Sequence, residues 1–124
     1  MFRIFVDDIR IPLDEEWIII KSYSDFIYFI NNNDFNSIKE ISLDHDLGLN
    51  EDEEKTGYDI AKWLIEYSID NNIILPLIKV HSANPVGSNN IISLINRYLI
   101  SLYLEPTCIH HVVELKRGIK FNFD

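Results

Sequence analysis

A single cysteine, Cys108, stands in a chain of 124 residues. One cysteine closes no internal disulfide, and Cys108 lacks the cysteine and histidine spacing of a zinc site, so the sequence predicts a packed or partly exposed thiol. Long apolar runs are also missing. "WIII" and "NIILPLI" fall far short of the roughly 20 residues a membrane span requires, and "MFRIFVDDIR" does not have the layout of a signal peptide. A cytoplasmic protein with no membrane partner is expected. Cations are scarce, with 11 Lys and Arg against 20 Asp and Glu for a net charge of −9. Such a chain repels long polyanions, so no long nucleic acid is expected as a partner, and a small charged ligand or a metal suits it better. There is no internal repeat. The locally biased stretches are "NNND" and "EDEEK", the latter read as a solvated loop.

What remains is an ordinary globular composition, 47% hydrophobic and 12% aromatic, in a length that suits one domain over residues 1–124 and buries roughly two thirds of its unfolded surface. "FRIFV" (2–6) is a short apolar run halted by Asp7 and Asp8, the pattern of a buried parallel strand. "IRIPLDEE" reads as a loop and "WIIIKS" (17–22) as a second strand. Ser24 or Asp25 is placed to cap a helix through about Asn32, and "IKEISL" (38–43) is a third strand. After a polar loop containing Gly48 and Glu51 to Glu54, Gly57 opens a helix to about Asp70, with Ile60, Leu64 and Tyr67 at helical spacing and Trp63 beside them. "LPLIKVHS" supplies a fourth strand. A long helix beginning near Gly87 or Ser88 carries Ile91, Ile95, Tyr98 and Leu102 as its inward stripe. The tail around Gly118 is rich in strand formers and predicts one strand or a hairpin.

Strands alternating with helices point to an α/β fold, a mostly parallel sheet covered on both faces, in which ligands bind beyond the carboxyl ends of the strands. Every concentration of reactive side chains falls at such an end. Asp7 and Asp8 follow the first strand, Asp44, His45 and Asp46 the third, and His81, Ser82 and Asn84 the fourth.

An acidic pair after strand one, an Asp ending strand three and a Ser followed by Ala ending strand four resemble response-regulator receiver domains. That resemblance implies a flavodoxin-like three-layer sandwich, Mg²⁺ held by Asp7, Asp8 and Asp44, phosphorylation at Asp44 and a sensing role for Ser82. Only about ten residues separate the first two strands, too few for an ordinary helical crossover, so the first receiver helix is expected to be shortened or absent. No Lys stands clearly at the end of a fifth strand, with Lys116 and Lys120 as substitutes. The fuller string "VDDIRIP…W…SLDHDLG…TGYDIAKWL…HSANPVG" is similar to the cyclic-phosphate processing receiver domains, over residues 2 to about 100. This resemblance implies a cyclic phosphate or nucleotide ligand, with an RNA end among the options.

Opening a cyclic phosphodiester with water needs a base, an acid and positive character near the non-bridging oxygens. His45 and His81, on neighbouring strand ends, are expected to face one ligand as acid and base, with Asp44 in support. Ser82, Asn84 and the amides near Gly87 are expected to bind phosphate. Asp7, Asp8, Asp44 and Asp46 crowd one rim, which calls for a compensating charge, a protonated histidine or a metal, with Mg²⁺ or Mn²⁺ expected. The alternatives are a module that binds a cyclic nucleotide without cleaving it and a receiver switched at Asp44. His110 and His111 are read as structural or surface residues, Trp17 and Trp63 as core aromatics, and the cluster of Lys116, Arg117 and Lys120 as a solvated turn, with contact to a nucleotide end as the other reading.

Overall fold

A computed structural model describes residues 1–14, 16–47 and 55–117. Gly48, the acidic run Glu51 to Glu54, Gly118 and Lys120 lie outside the described residues. In chain order the elements are β1 (Phe2–Val6), β2 (Arg10–Pro12), β3 (Ile18–Ile20), α1 (Tyr23–Asn31), a short 3₁₀ turn (Phe35–Ser37), β4 (Ile38–Leu43), α2 (Gly57–Asn71), β5 (Leu77–Val80), α3 (Pro85–Ser101), β6 (Ile109–His110) and β7 (Leu115–Arg117). Five parallel strands form a sheet in the order β3-β1-β4-β5-β6, and β2 pairs with β7 in a separate antiparallel ribbon. This is an α/β fold with the receiver, flavodoxin-like strand order.

The alternation of β1 decides what lies where. Ile4 and Val6 pair with Ile41 and Leu43 of β4, which pair in turn with Ile78 and Val80 of β5. These six side chains share one face and join a single cluster with Phe26 and Ile30 of α1, Ile60 and Leu64 of α2, and Ile91, Ile95 and Leu99 of α3. Each such side chain, fully buried, contributes about 1.5–3 kcal/mol. All three helices therefore lie on that face. On the opposite face, which carries Arg3, Phe5, Glu40, Ser42 and Lys79, there is no helix among the described residues. Helices on both faces were expected, and the short link between β1 and β3 explains the difference: it holds β2 instead of a helix, as the spacing foretold. Side chains roof this face in place of a helix. Trp17 and His111 pack on Phe5, Arg3 stacks over Trp17 at 4.2 Å, and Arg3 and Lys79 both reach the Glu40 carboxylate.

Several boundaries differ from the sequence reading. The cap of α1 is Ser22, whose hydroxyl accepts the Asp25 N–H, rather than Ser24 or Asp25. α3 starts at Pro85, capped by Asn84, earlier than Gly87, because proline at the first helical position loses only an N–H that would be unpaired there. "IRIPLDEE" contains a strand, since the tail supplies β7 as its partner. Within the described residues the tail divides its strands: β6 extends the sheet and β7 turns back to β2. Asn96 fixes that path by bonding both the N–H and the carbonyl of Cys108, and burial pushes the Cys108 thiol up to about 12.

Candidate functional site

Register brings Asp7 and Asp44 together. Asp44 N–H donates to the Val6 carbonyl and His81 N–H to the Leu43 carbonyl, so the residues that follow β1, β4 and β5 meet at one rim. Asp7, Asp44 and His81 are all buried, and one ligand atom from each lies within 4.8 Å of the others. Asp7 Oδ1 accepts the backbone N–H groups of Ile9 (2.9 Å) and Arg10 (2.8 Å). Its Oδ2 meets Arg10 Nε at 3.2 Å and His81 Nε2 at 3.1 Å. Arg10 also reaches Asp44 Oδ2 through Nη2 at 3.4 Å.

The carboxylates respond differently to this setting. Burial pushes the Asp7 carboxyl up, but hydrogen bonds from His81 and the Arg10 and Ile9 amides, with the Arg10 charge, outweigh it and leave the value below the ordinary 3.8. Asp44 is raised by burial and the neighbouring Asp7 charge, against the Ser82 hydrogen bond, His81 and Arg10. Asp8 is raised too, by burial and by Asp7 and Asp46. Two rim carboxylates are thus short of positive charge even with Arg10 present. Two carboxylate oxygens and one imidazole nitrogen in reach of one another form a donor set that a divalent cation fits.

His81 points down from this rim. Its ring stacks on Phe5 at 3.9 Å and 11°, its side chain is 1% exposed, and its Nδ1 lies 2.7 Å from Ser42 Oγ. Ser42 Oγ lies 2.7 Å from His111 Nδ1 as well. A hydroxyl carries one proton and two acceptor sites, so at most one of the two imidazoles accepts from Ser42. With His81 Nε2–H given to Asp7, a neutral His81 accepts the Ser42 proton and His111 donates its Nδ1–H. With Nε2 turned instead to a cation, the chain runs the other way. Burial, Lys79 and His81 hold the His111 imidazole below its ordinary 6.5. His111 reaches this position because its N–H donates to the Val80 carbonyl, continuing β6. The sequence reading makes it structural or surface; its place beside Ser42 follows from the pairing of β6 with β5. Ser42, a hydroxyl inside the strand "IKEISL", is fully buried and is not singled out by the sequence.

His45 takes another direction. Its Nδ1 pairs with Asp46 Oδ1 at 2.9 Å, and its ring fills the space in front of Gly87, where a Cβ would overlap the imidazole. It lines a groove of about 540 Å³ with Thr56, Tyr58, Asn90, Ser93 and Arg97. The rim cavity, about 330 Å³, is lined by Asp7, Asp8, Asp44, Asp46, Arg10 and Arg117 among others. The two expected histidines therefore do not line one cavity; Asp46 stands between the two spaces. Ser82 Oγ accepts the Asn84 N–H and Asn84 Oδ1 accepts the Gly87 N–H, while Ser82 also bonds Asp44 and Asn84 Nδ2 donates to Asp46 Oδ2 at 3.5 Å. Gly57 also serves close approach, since a Cβ there would overlap the Asp44 carbonyl and its N–H donates to the His45 carbonyl at 2.8 Å. Of the rim cations, Arg10 is not singled out by the sequence, and Arg117 is read there as part of a solvated turn. Arg10 sits three residues after Asp7, and Arg117 arrives opposite it through the β2–β7 register.

The profile of the cyclic-phosphate processing receiver domain matches residues 2–97. The chain belongs to this family. No curated protein and no solved structure matches it. Ser42 and the Asp7, Asp44 and His81 group lie within the stretch shared with the cyclic-phosphate processing receivers, whereas His111 and the β7 strand that brings Arg117 lie beyond it. No helix among the described residues is long and apolar enough to cross a membrane.

Proposed function

We propose that the protein is a metal-assisted phosphoesterase that opens a cyclic phosphate, a 2′,3′-cyclic end or a cyclic nucleotide, with water. The observation that carries this reading is the buried Asp7, Asp44 and His81 group beneath a cavity edged by Arg10 and Arg117, in a chain of this family. Asp7, Asp44 and His81 would hold the cation, with Asp8 and Asp46 nearby on the rim; a nitrogen in the donor set suits Mn²⁺ better than Mg²⁺. When bound, such an ion polarises phosphoryl oxygens and lowers the pKa of a coordinated water. Arg117, exposed at the cavity wall, is free to face the non-bridging oxygens, and Arg10 links Asp7 and Asp44 below them. His45, oriented by Asp46, is the proton carrier for the attacking or leaving oxygen. His81 would turn Nε2, which meets Asp7 without a cation, to the ion, with its ring held from behind by Ser42 at Nδ1.

Incubation of purified protein with a panel of cyclic phosphates, with Mn²⁺, Mg²⁺ or EDTA, tests this reading. Turnover that needs the divalent ion, and that falls about 10²- to 10⁴-fold in His45→Ala, is expected. An inert panel sinks the proposal, as does full activity in Asp44→Asn. A binding module is the second reading, favoured by the engagement of both His81 ring nitrogens; calorimetry with the ligand recovered intact would support it. Labelling by acetyl phosphate that disappears in Asp44→Asn would support a phosphorylated receiver instead.

A further inference from the structure

The groove between α2 and α3 has no part in the chemistry above except through His45. Its α3 wall is a polar stripe, Asn90, Ser93 and Arg97 at positions i, i+3 and i+7, which share one side of a helix. Its other wall is Thr56 and Tyr58 at the start of α2. Arg3 pairs with Glu40 and Asp14, and Arg10 with Asp7 and Asp44, while Arg117 belongs to the rim cavity. Arg97 has no ion pair among the described residues. A guanidinium left without a carboxylate in a chain of net charge −9, at the end of a run of side-chain amide and hydroxyl donors, is the composition of a phosphate-recognition surface.

We infer that this groove binds a second phosphate of the same ligand. The inference rests on the reading of the rim as a cyclic-phosphate site and deepens it. His45 lines the groove while its partner Asp46 lines the rim cavity, so a ligand that reaches past the Asp46 and His45 pair passes from one space to the other. The preferred substrate is then a nucleotide that carries a phosphate in addition to the cyclic one. A 5′-phosphate on a 2′,3′-cyclic mononucleotide and the internucleotide phosphate of a short oligonucleotide share that chemistry.

The first test needs no catalysis. Inorganic phosphate is titrated into ¹⁵N-labelled protein, and the Arg97 Nε–H and Asn90 side-chain amide signals are followed. Shifts at both, lost at Asn90 in Arg97→Gln and retained in Arg97→Lys, are expected. Shifts confined to Arg10 and Arg117 overturn the inference. The second test compares three substrates: a 2′,3′-cyclic nucleoside monophosphate, its 5′-phosphorylated form and a dinucleotide ending in a 2′,3′-cyclic phosphate. The wild type should prefer one or both of the last two by roughly tenfold in kcat/KM, and Arg97→Gln should remove that preference. Which of the two is preferred identifies the source of the second phosphate. Equal rates on all three overturn the inference and leave the cyclic-phosphate reading standing. Groove shifts without any cleavage retire the enzymatic reading and support the groove.

Discussion

At the scale of single residues, the molecule concentrates its unusual chemistry on a few atoms that neither repeat nor pattern predicts. Ser42 Oγ is the hydrogen-bonded link between two imidazoles, so Ser42→Ala leaves a nitrogen on each without this partner. A loss of about 1–3 kcal/mol is expected, read as a lower urea midpoint with an unchanged slope. Asp44 is the opposite case. The folded chain holds its proton more tightly than the unfolded chain does, with burial and Asp7 as the cause. The stability it contributes is therefore full below the ordinary 3.8 and is lost as pH rises through the higher folded value. Asp44→Asn should raise the thermal midpoint of the metal-free protein at pH 7 and abolish the further rise that Mn²⁺ gives the wild type by binding the folded state. An unchanged midpoint with an intact Mn²⁺ response would remove Asp44 from the cation site. The acidic clusters themselves were legible, because a run of apolar residues ending in "DD" or "DHD" marks a strand end. Where each side chain would point was not. His45 and His81 both follow strands, yet one turns toward α3 and the other toward Phe5, a choice made by packing against Gly87 and against the sheet face.

At the scale of elements, the main strands and helices follow from local pattern, and the misses share one cause. β2 is three residues long and includes a proline, and β6 has only two residues; such segments become strands through their partners, not through their own sequence. α2 was readable from Gly57 onward because its start is written locally. Thr56 accepts the Tyr58 N–H, and the Asp59 carboxylate accepts the Thr56 N–H at 2.8 Å, the reciprocal arrangement of a capping box. Two substitutions separate what this start does. Thr56→Ala should cost about 1 kcal/mol of stability, with the site otherwise intact. Gly57→Ala forces α2 away from the Asp44 carbonyl and should cost about 1–3 kcal/mol while also displacing His45, whose carbonyl receives the Gly57 N–H. Denaturation curves and the His45 ring signals in NMR distinguish the two. A Gly57→Ala protein as stable as the wild type would show that the helix tolerates retreat from β4.

At the scale of the whole molecule, helices cover one face of the sheet and a thin sheath of side chains covers the other. The missing first crossover was legible from the spacing between β1 and β3, but what would replace it was not, since Trp17, Arg3 and His111 come from three distant parts of the chain. This asymmetry gives the protein two separate optical reporters. Trp63 is stacked on Tyr67 among the helices, whereas Trp17 lies 5.4 Å from the His111 ring on the bare face. An imidazolium dims the emission of an indole beside it, and His111 gains its proton only below the ordinary 6.5. A Trp63→Phe protein should accordingly lose brightness on acidification with a midpoint under pH 6.5, and an added His111→Asn change should flatten the curve. Light emitted from one indole would then follow, in real time, the charge of a ring two hydrogen bonds away from the imidazole proposed to grip the cation.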